Sequence, residues 1–145
     1  MNEDRYYSII GLTFIIQFFL IYIFLITKTN IFEKIFIIFS IISQIIFLLC
    51  LFNRNYEKLF QYMHICYILS VIFLTIFVTN KILILLLIFV IIINISYWIV
   101  DGDCPLGNDV PDDFDYIKNK LENYTTDIAL FLLLILMIKY LVIKL

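Results

Sequence analysis

The chain has 145 residues, of which 64% are hydrophobic, 18% aromatic and only 15% charged. Soluble domains are about 45 to 50% apolar and about 25% charged, and a chain of this size has no core large enough to hide such an apolar excess. This composition excludes a cytosolic globular enzyme, a disordered tail and a disulfide-stapled secreted module. The net charge of −2, with only Arg5 and Arg54 as arginines, excludes an electrostatic nucleic-acid binder.

Residue usage also points to the kind of genome that encodes the chain. Isoleucine occurs 32 times, whereas alanine occurs once, glycine three times and proline twice. Hydrophobicity alone does not explain this scarcity, because alanine and glycine are ordinarily common in membrane helices. Isoleucine, phenylalanine, tyrosine, asparagine and lysine share AT-rich codons. We therefore expect an AT-rich genome, such as that of a large DNA virus, an organelle or an AT-rich microbe.

Charged residues divide the chain into long uncharged runs, each a candidate membrane span. A helix needs about 20 apolar residues to cross a hydrocarbon core about 30 Å thick. Four runs are long enough, and the sequence predicts spans over residues 7–27, 35–53, 59–79 and 82–100. We expect the first span to remain as an anchor rather than to be cleaved as a signal peptide, because no small-residue cleavage site follows it.

A fifth span is predicted over residues 126–145. The uncharged run Ile128 to Ile138 is short, and a crossing of about 27 Å requires Lys139 and Lys144 to extend their ammonium groups to the far interface. A half-span or a surface helix is the alternative. The short connections between the first four spans force antiparallel neighbours. The predicted fold is an all-α, polytopic transmembrane bundle of four to five spans with short hairpin connections, forming one membrane domain over residues 1–145.

Residues 101–125 form the single long hydrophilic segment. Its first half is rich in aspartate, glycine and proline, which is typical of a loop, and from Asp109 onward the residues favour a helix start. Phe114, Ile117 and Leu121 then recur every three or four residues as an apolar stripe that leads into the fifth span. The sequence predicts an acidic extramembrane loop and an amphipathic helix, whose stripe contacts a protein partner.

Basic residues do not settle the orientation of the chain. In a five-span arrangement the N-terminus, the second loop and the 101–125 segment share one side, while the first loop, the third loop and the C-terminus share the other. Five basic residues fall on each side, but 11 of the 12 acidic residues lie on the N-terminal side and only Glu33 on the other. We expect the N-terminus outside and the C-terminus inside, in a virion or host membrane or an organelle inner membrane.

The predicted spans bring the three cysteines, Cys50, Cys66 and Cys104, toward the acidic side. A redox pair or a metal site is the functional interpretation. The alternative is two small buried residues and a loop thiol. The chain contains no Cys-x-x-Cys motif and a single histidine, His64. We therefore predict no metal site and no cofactor, and a disulfide within this thiol cluster remains an alternative.

Few polar residues lie inside the predicted spans. Ser40, Ser43 and Gln44 share one face of the second helix, Gln17 lies at mid-depth in the first, and Asn94 lies in the fourth. Because an unpaired amide in hydrocarbon is costly, these residues predict helix packing through interhelical hydrogen bonds worth about 0.6 to 2 kcal/mol each. A transporter would need ionisable groups at mid-membrane, and the only candidate is the histidine near one edge.

One short segment resembles a known group of proteins. Trp98 followed by Cys104-Pro105-Leu106 resembles the Trp and Cys-Pro-Leu segment that follows a membrane helix in small uncharacterised four-helix membrane proteins of bacteria and of large DNA viruses. Those proteins usually continue with Ser or Thr and a nearby Glu, whereas Gly107 follows here. The resemblance implies no activity. Independently of it, Tyr97 and Trp98 are predicted to be interfacial anchors.

Catalytic motifs are missing from the sequence. It contains no Gly-x-Ser-x-Gly elbow, no Walker loop and no His-Glu-x-x-His motif, and the acidic loop does not match the ligand spacing of an EF-hand. No catalytic residue is predicted. The sequence favours a structural or assembly subunit of a membrane-embedded complex, in contact with the lipid bilayer and with protein partners, rather than an enzyme. A small channel or transporter and a thiol-redox membrane enzyme are the alternatives.

Overall fold

The computed structural model describes residues 3–52, 57–101 and 115–143. Within these ranges the secondary-structure elements are all α-helices joined by short links, which confirms the predicted all-α class. The helices are α1 (Glu3–Ile26), α2 (Ile31–Phe52), α3 (Glu57–Phe77), α4 (Lys81–Asp101) and α5 (Asp115–Val142). Each of the five predicted spans overlaps one of these helices.

Helix α2 begins four residues before the predicted start of the second span at residue 35. The reason is a reciprocal cap: Asn30 Oδ1 accepts the Glu33 N–H at 2.8 Å, and Glu33 Oε2 accepts the Asn30 N–H at 2.7 Å. This is the capping-box arrangement, which satisfies two N–H groups that a helix start otherwise leaves unpaired. Glu33 therefore belongs to the first turn of α2 rather than to the preceding loop.

The start of α4 is fixed in a similar way by Asn80. Its Oδ1 accepts the backbone N–H groups of Ile82 at 3.0 Å and Leu83 at 3.1 Å, so Asn80 is the N-cap residue. Helix α3 ends at Phe77, which leaves three residues between the two helices. A link this short makes α3 and α4 antiparallel neighbours.

Helix α5 runs without a break for 28 residues. It joins the end of the predicted amphipathic helix to the predicted fifth span, as expected for one long helix. The predicted helix start near Asp109 lies outside the described residues.

The helices pack as a bundle in which α2 lies against α3, α4 against α5, and α1 against both α2 and α4, while α5 also contacts α3. The core between them is almost entirely aliphatic. Its most deeply buried members are Ile23, Ile37, Leu74, Val78, Leu83, Ile84 and Leu136.

Stacked phenylalanines record the register of α2 against α3. The rings of Phe36 and Phe73 stack at a centroid distance of 5.3 Å, and those of Phe32 and Phe77 stack at 5.7 Å. Moving four residues forward on α2 moves the contact four residues back on α3, which is the register of antiparallel helices. Both pairs have the near-parallel ring planes of stacked aromatics.

Two helices among the described residues are long and apolar enough to cross a membrane, over Tyr7–Ile26 and Ile31–Cys50. Shorter apolar stretches lie at Ile65–Phe77 in α3 and Lys81–Ser96 in α4. A buried helix of a soluble protein or a signal sequence can meet the same criterion of length and composition.

Candidate functional site

The main polar cluster in the described part of the chain lies at one end of the bundle, where the α1–α2 link, the α3–α4 link and the C-terminal part of α5 meet. Its members are Asn30, Glu33, Thr79, Asn80 and Lys139, and we call it the polar junction. Glu33 is only 1% exposed. A buried carboxylate is costly unless its oxygens are hydrogen-bonded.

The Glu33 carboxylate is held by four donors from two different links. Oε2 accepts the Asn30 N–H, as described above. Oε1 accepts the backbone N–H groups of Thr79 at 2.6 Å and Asn80 at 2.9 Å, and also the Thr79 hydroxyl at 3.0 Å. One side chain therefore caps its own helix and binds the amide groups of a link 46 residues further along the chain.

The two asparagines of the polar junction strengthen the same connection. Asn30 Nδ2 donates to Thr79 Oγ1 at 3.2 Å. Asn80 Nδ2 donates to Thr27 Oγ1 at 3.0 Å and to the Lys28 carbonyl at 3.1 Å. The α1–α2 and α3–α4 links thus lie side by side, as the alternation of hairpins predicts.

Lys139 binds the residues that lead into the α3–α4 link. Its Nζ donates to the carbonyl oxygens of Thr75 at 2.9 Å and Val78 at 3.3 Å and to that of Ile76. An ammonium group has three donors, so all of them are used. The Thr75 and Ile76 carbonyls belong to the last turn of α3, the negative end of its dipole, and Val78 is the first residue of the link that follows.

The sequence predicts that Lys139 and Lys144 extend to a membrane interface, but it names no partner for either. The structure gives the Lys139 ammonium its partners, the carbonyls at the end of α3. Lys144 lies outside the described residues. The residue after Lys139 is Tyr140, and the Lys81 Nζ lies 5.5 Å from the centroid of its ring. This arrangement adds a cation–π contact between α4 and α5.

The chemistry of the polar junction is that of fixed, fully paired charges. The Glu33 oxygens and the Lys139 donors are all directed at neighbouring backbone or hydroxyl groups. Such an arrangement holds helices in register and brings two opposite charges to one link.

The polar residues predicted on α2 lie inside the bundle. Ser40, Ser43 and Gln44 are buried, and Gln17 on α1 is half-buried. Ser43 Oγ donates to the Phe39 carbonyl of its own helix at 2.8 Å. Gln44 Oε1 is buried without a hydrogen-bond partner among the described residues. The interhelical hydrogen bond expected of Gln44 is therefore not formed by this oxygen.

Asn94 also differs from the expected interhelical pairing. Its Nδ2 donates to the Val90 carbonyl four residues earlier, at 2.8 Å. The hydroxyl groups of several other residues do the same within their own helices, namely Thr13, Ser70, Thr75 and Ser96. A side chain that returns to its own backbone satisfies its donor without a neighbour, so packing between these helices is mainly apolar.

The described cysteines carry free thiols. Cys50 is buried near the end of α2, and Cys66 is half-buried on α3. Among the described residues, no group of three or more metal-binding side chains lies together. Cys104, the third member of the predicted thiol cluster, lies outside the described residues.

Two other groups of predicted residues fall wholly or partly outside the described structure. Phe114, a predicted partner contact, lies outside it. For Ile117 and Leu121 in α5 and for the predicted anchors Tyr97 and Trp98 in α4, the helical backbone is described but the side chains are not.

Sequence reasoning did not single out the polar junction. It noted Glu33 only as the sole acidic residue on its side. The Asn-x-x-Glu spacing of Asn30 and Glu33 is a capping signature and could have placed the carboxylate on α2. No comparable local pattern marks Lys139, because its three carbonyl partners lie more than 60 residues away in sequence.

Comparisons of the chain with protein-family models, curated proteins and solved structures find no match. Its function must therefore be inferred from its own residues and their arrangement.

Proposed function

We propose that the chain is a polytopic integral membrane protein whose five helices all cross the bilayer, and that it serves as a structural or assembly subunit of a larger membrane complex. The observation that carries this proposal is the apolar outer surface of the bundle. The position of the polar junction and the hydrophilic 101–125 segment give further support.

Large apolar side chains face outward on all five helices. Phe18 and Leu25 on α1 are 67% and 72% exposed, and Leu141 on α5 is 81% exposed. On the other helices the same is true of Ile35 and Leu49 in α2, Ile68 and Ile76 in α3, and Phe89 and Ile92 in α4. Soluble monomers rarely expose continuous apolar surface on this scale, so lipid or protein must cover it.

The distribution of burial supports lipid as the main covering. Only 28% of the first long apolar helix and 39% of the second are buried within the bundle, whereas a core helix of a soluble protein would be mostly buried. At the same time, small polar side chains such as Ser40, Ser70 and Thr75 are buried. This polar-in, apolar-out pattern is the one that a hydrocarbon solvent favours.

The polar junction supports five crossings rather than two. It joins the α1–α2 link to the α3–α4 link and brings the C-terminal part of α5 to the same end. If both links lie on one membrane surface, each helix between them must return across the bilayer. We propose that this end faces inside and that the acidic 101–125 segment faces outside.

Site-directed labelling tests the number of crossings. Single reporter cysteines replace Lys34, Lys81 or Asn108 in a chain whose three native cysteines are changed to serine. In sealed membranes, an impermeant maleimide is expected to label positions 34 and 81 from one side and position 108 from the other. If only α1 and α2 crossed, positions 81 and 108 would be labelled together from the side opposite position 34. That result would contradict the five-span proposal.

A structural role is supported by the chemistry inside the bundle. The described core is aliphatic, and the charged groups of the polar junction are committed to backbone partners. The free thiols of Cys50 and Cys66 lend no support to a redox function. Residues 101–125 are the main hydrophilic stretch of the sequence, and their net negative charge fits a basic protein partner better than an anionic membrane.

Co-purification tests the partner proposal. Changing Phe114 and Ile117 to serine removes the front of the predicted apolar stripe and is expected to release the protein from its assembly without affecting membrane insertion. The matched control, Asn119→Ser with Glu122→Gln, alters the opposite face of the same predicted helix and should retain the partners. Retention of the partners by both variants, measured after gentle solubilisation, would show that the contacts lie elsewhere.

A further inference from the structure

The last turn of α3 and the first residue of the α3–α4 link present a group of backbone oxygens that converge on one point. The carbonyls of Thr75, Ile76 and Val78 all accept from Lys139 Nζ, and we call these three oxygens the carbonyl cradle. The last carbonyls of a helix have no donors of their own and carry the negative end of its dipole. The preceding carbonyl, that of Leu74, accepts the Val78 N–H at 2.8 Å and so is already used.

The carbonyl cradle is occupied by a compact cation, the Lys139 ammonium, which belongs to α5. The ammonium of Lys139 is a point charge on a flexible stem, not a planar fork. Rings of backbone carbonyls bind alkali cations through the same ion–dipole attraction, and helix C-terminal ends coordinate such ions in membrane transporters. We propose that the carbonyl cradle is a monovalent-cation site whose resident occupant is the tethered Lys139 ammonium, and that a free alkali cation binds there when this ammonium is removed.

The donor set favours a monovalent cation over a divalent one. Ca²⁺ and Mg²⁺ sites are usually built with carboxylate ligands, whereas the cradle consists of neutral carbonyls. The nearest carboxylate in the polar junction, Glu33, is occupied by the donors of Asn30, Thr79 and Asn80. It supplies negative charge to the same link without being free to coordinate. An ammonium group is closer in size to a potassium ion than to a sodium ion, so a site that holds the Lys139 ammonium favours potassium.

The tether has a consequence for the bundle. Because the cation belongs to α5, filling the site also fixes α5 against the end of α3. A free ion would be coordinated by the carbonyls but would not bind α5. The wild-type protein is therefore independent of dissolved alkali ions at this site, and removal of the lysine head group creates a dependence on them.

Thermal unfolding of the purified full-length protein tests the proposal. Lys139→Met keeps an unbranched side chain but removes the ammonium. Its unfolding midpoint is compared with that of the wild type in potassium, sodium and N-methylglucamine chlorides at equal ionic strength. We expect the Lys139→Met midpoint to rise by about 2 to 4 °C as potassium is titrated to saturation, with a smaller rise in sodium and none in N-methylglucamine. The wild-type midpoint should be the same in all three salts.

Two control variants separate the site from general salt effects. Lys139→Arg retains a cation on the tether, and Lys34→Met removes an exposed lysine from the neighbouring first turn of α2. Neither should respond to potassium. Equal midpoints for Lys139→Met in the three salts, or an equal potassium response in Lys34→Met, would overturn the proposal.

If Lys139→Met is too unstable for a thermal unfolding measurement, the yield of folded protein after detergent extraction provides the test. The monodisperse fraction is then measured by size exclusion after solubilisation in each salt. Recovery in potassium but not in N-methylglucamine supports an alkali-ion site. Failure to recover the protein in any of the three salts counts against it, because the cradle would then not accept a free ion.

Discussion

Removing the Glu33 carboxylate is the most direct perturbation of the polar junction. Glu33→Ala leaves four donors without their acceptor, namely the N–H groups of Asn30, Thr79 and Asn80 and the Thr79 hydroxyl. Glu33→Gln retains one oxygen, which can take the place of Oε1 and keep three of these bonds. Its NH₂ group then faces the Asn30 N–H. Because both groups are donors, the hydrogen bond to Asn30 is lost.

The number and burial of these bonds set the expected magnitudes. A hydrogen bond to a charged group contributes about 1.5 to 3 kcal/mol, and a buried group left unpaired costs about 1 to 3 kcal/mol. These values do not add for donors that share one acceptor, and the links can partly admit water. We therefore expect Glu33→Ala to lower the free energy of unfolding by about 3 to 5 kcal/mol and Glu33→Gln by about 1 to 3 kcal/mol.

Equilibrium unfolding in mixed detergent micelles measures both values. The matched control is Asp127→Asn, which neutralises an exposed carboxylate on α5 and should change the unfolding free energy by less than about 0.5 kcal/mol. The essential result is that the loss of unfolding free energy is largest for Glu33→Ala, smaller for Glu33→Gln and smallest for the control. If Glu33→Ala were as stable as the control, the carboxylate would not hold the two links together.

Three further predictions use the same purified protein. Asn80→Ala removes the N-cap of α4 and the bonds to the α1–α2 link, and should lower the free energy of unfolding by about 2 to 3 kcal/mol. In the double mutant with Glu33→Ala the loss of unfolding free energy should be less than the sum of the two single losses. Full additivity in this double-mutant cycle would show that the two side chains act separately. Gln44→Leu removes a buried amide oxygen that has no partner, so the unfolding free energy should stay the same or rise by about 1 kcal/mol, whereas a large loss would reveal a hydrogen bond to Gln44. Cys50 and Cys66 should both be alkylated in denaturant without reductant, and a mass spectrum with either thiol protected would contradict their free state.

Several features of the fold follow from local sequence. Uncharged runs bounded by lysine, arginine and aspartate predict the five helices, because a long apolar helix satisfies its own backbone whatever its neighbours are. Short links predict antiparallel packing and place the α1–α2 and α3–α4 links at the same end. Helix α2 begins four residues before the predicted span over residues 35–53, and the Asn30 and Glu33 cap that sets this start is also a local signal.

The partners of the polar side chains were decided by tertiary structure. Ser43 and Asn94 can bond either to their own helix or to a neighbour, and sequence spacing does not distinguish these outcomes. The partners of Glu33 in the α3–α4 link and the partners of Lys139 lie 46 to 64 residues away, so these contacts are fixed only when the whole bundle is packed. By itself the sequence determined that the chain forms long apolar helices, since that property depends on contiguous residues. Only the packed bundle decided which charges meet across the α3–α4 link, because that depends on how the helices are placed around one another.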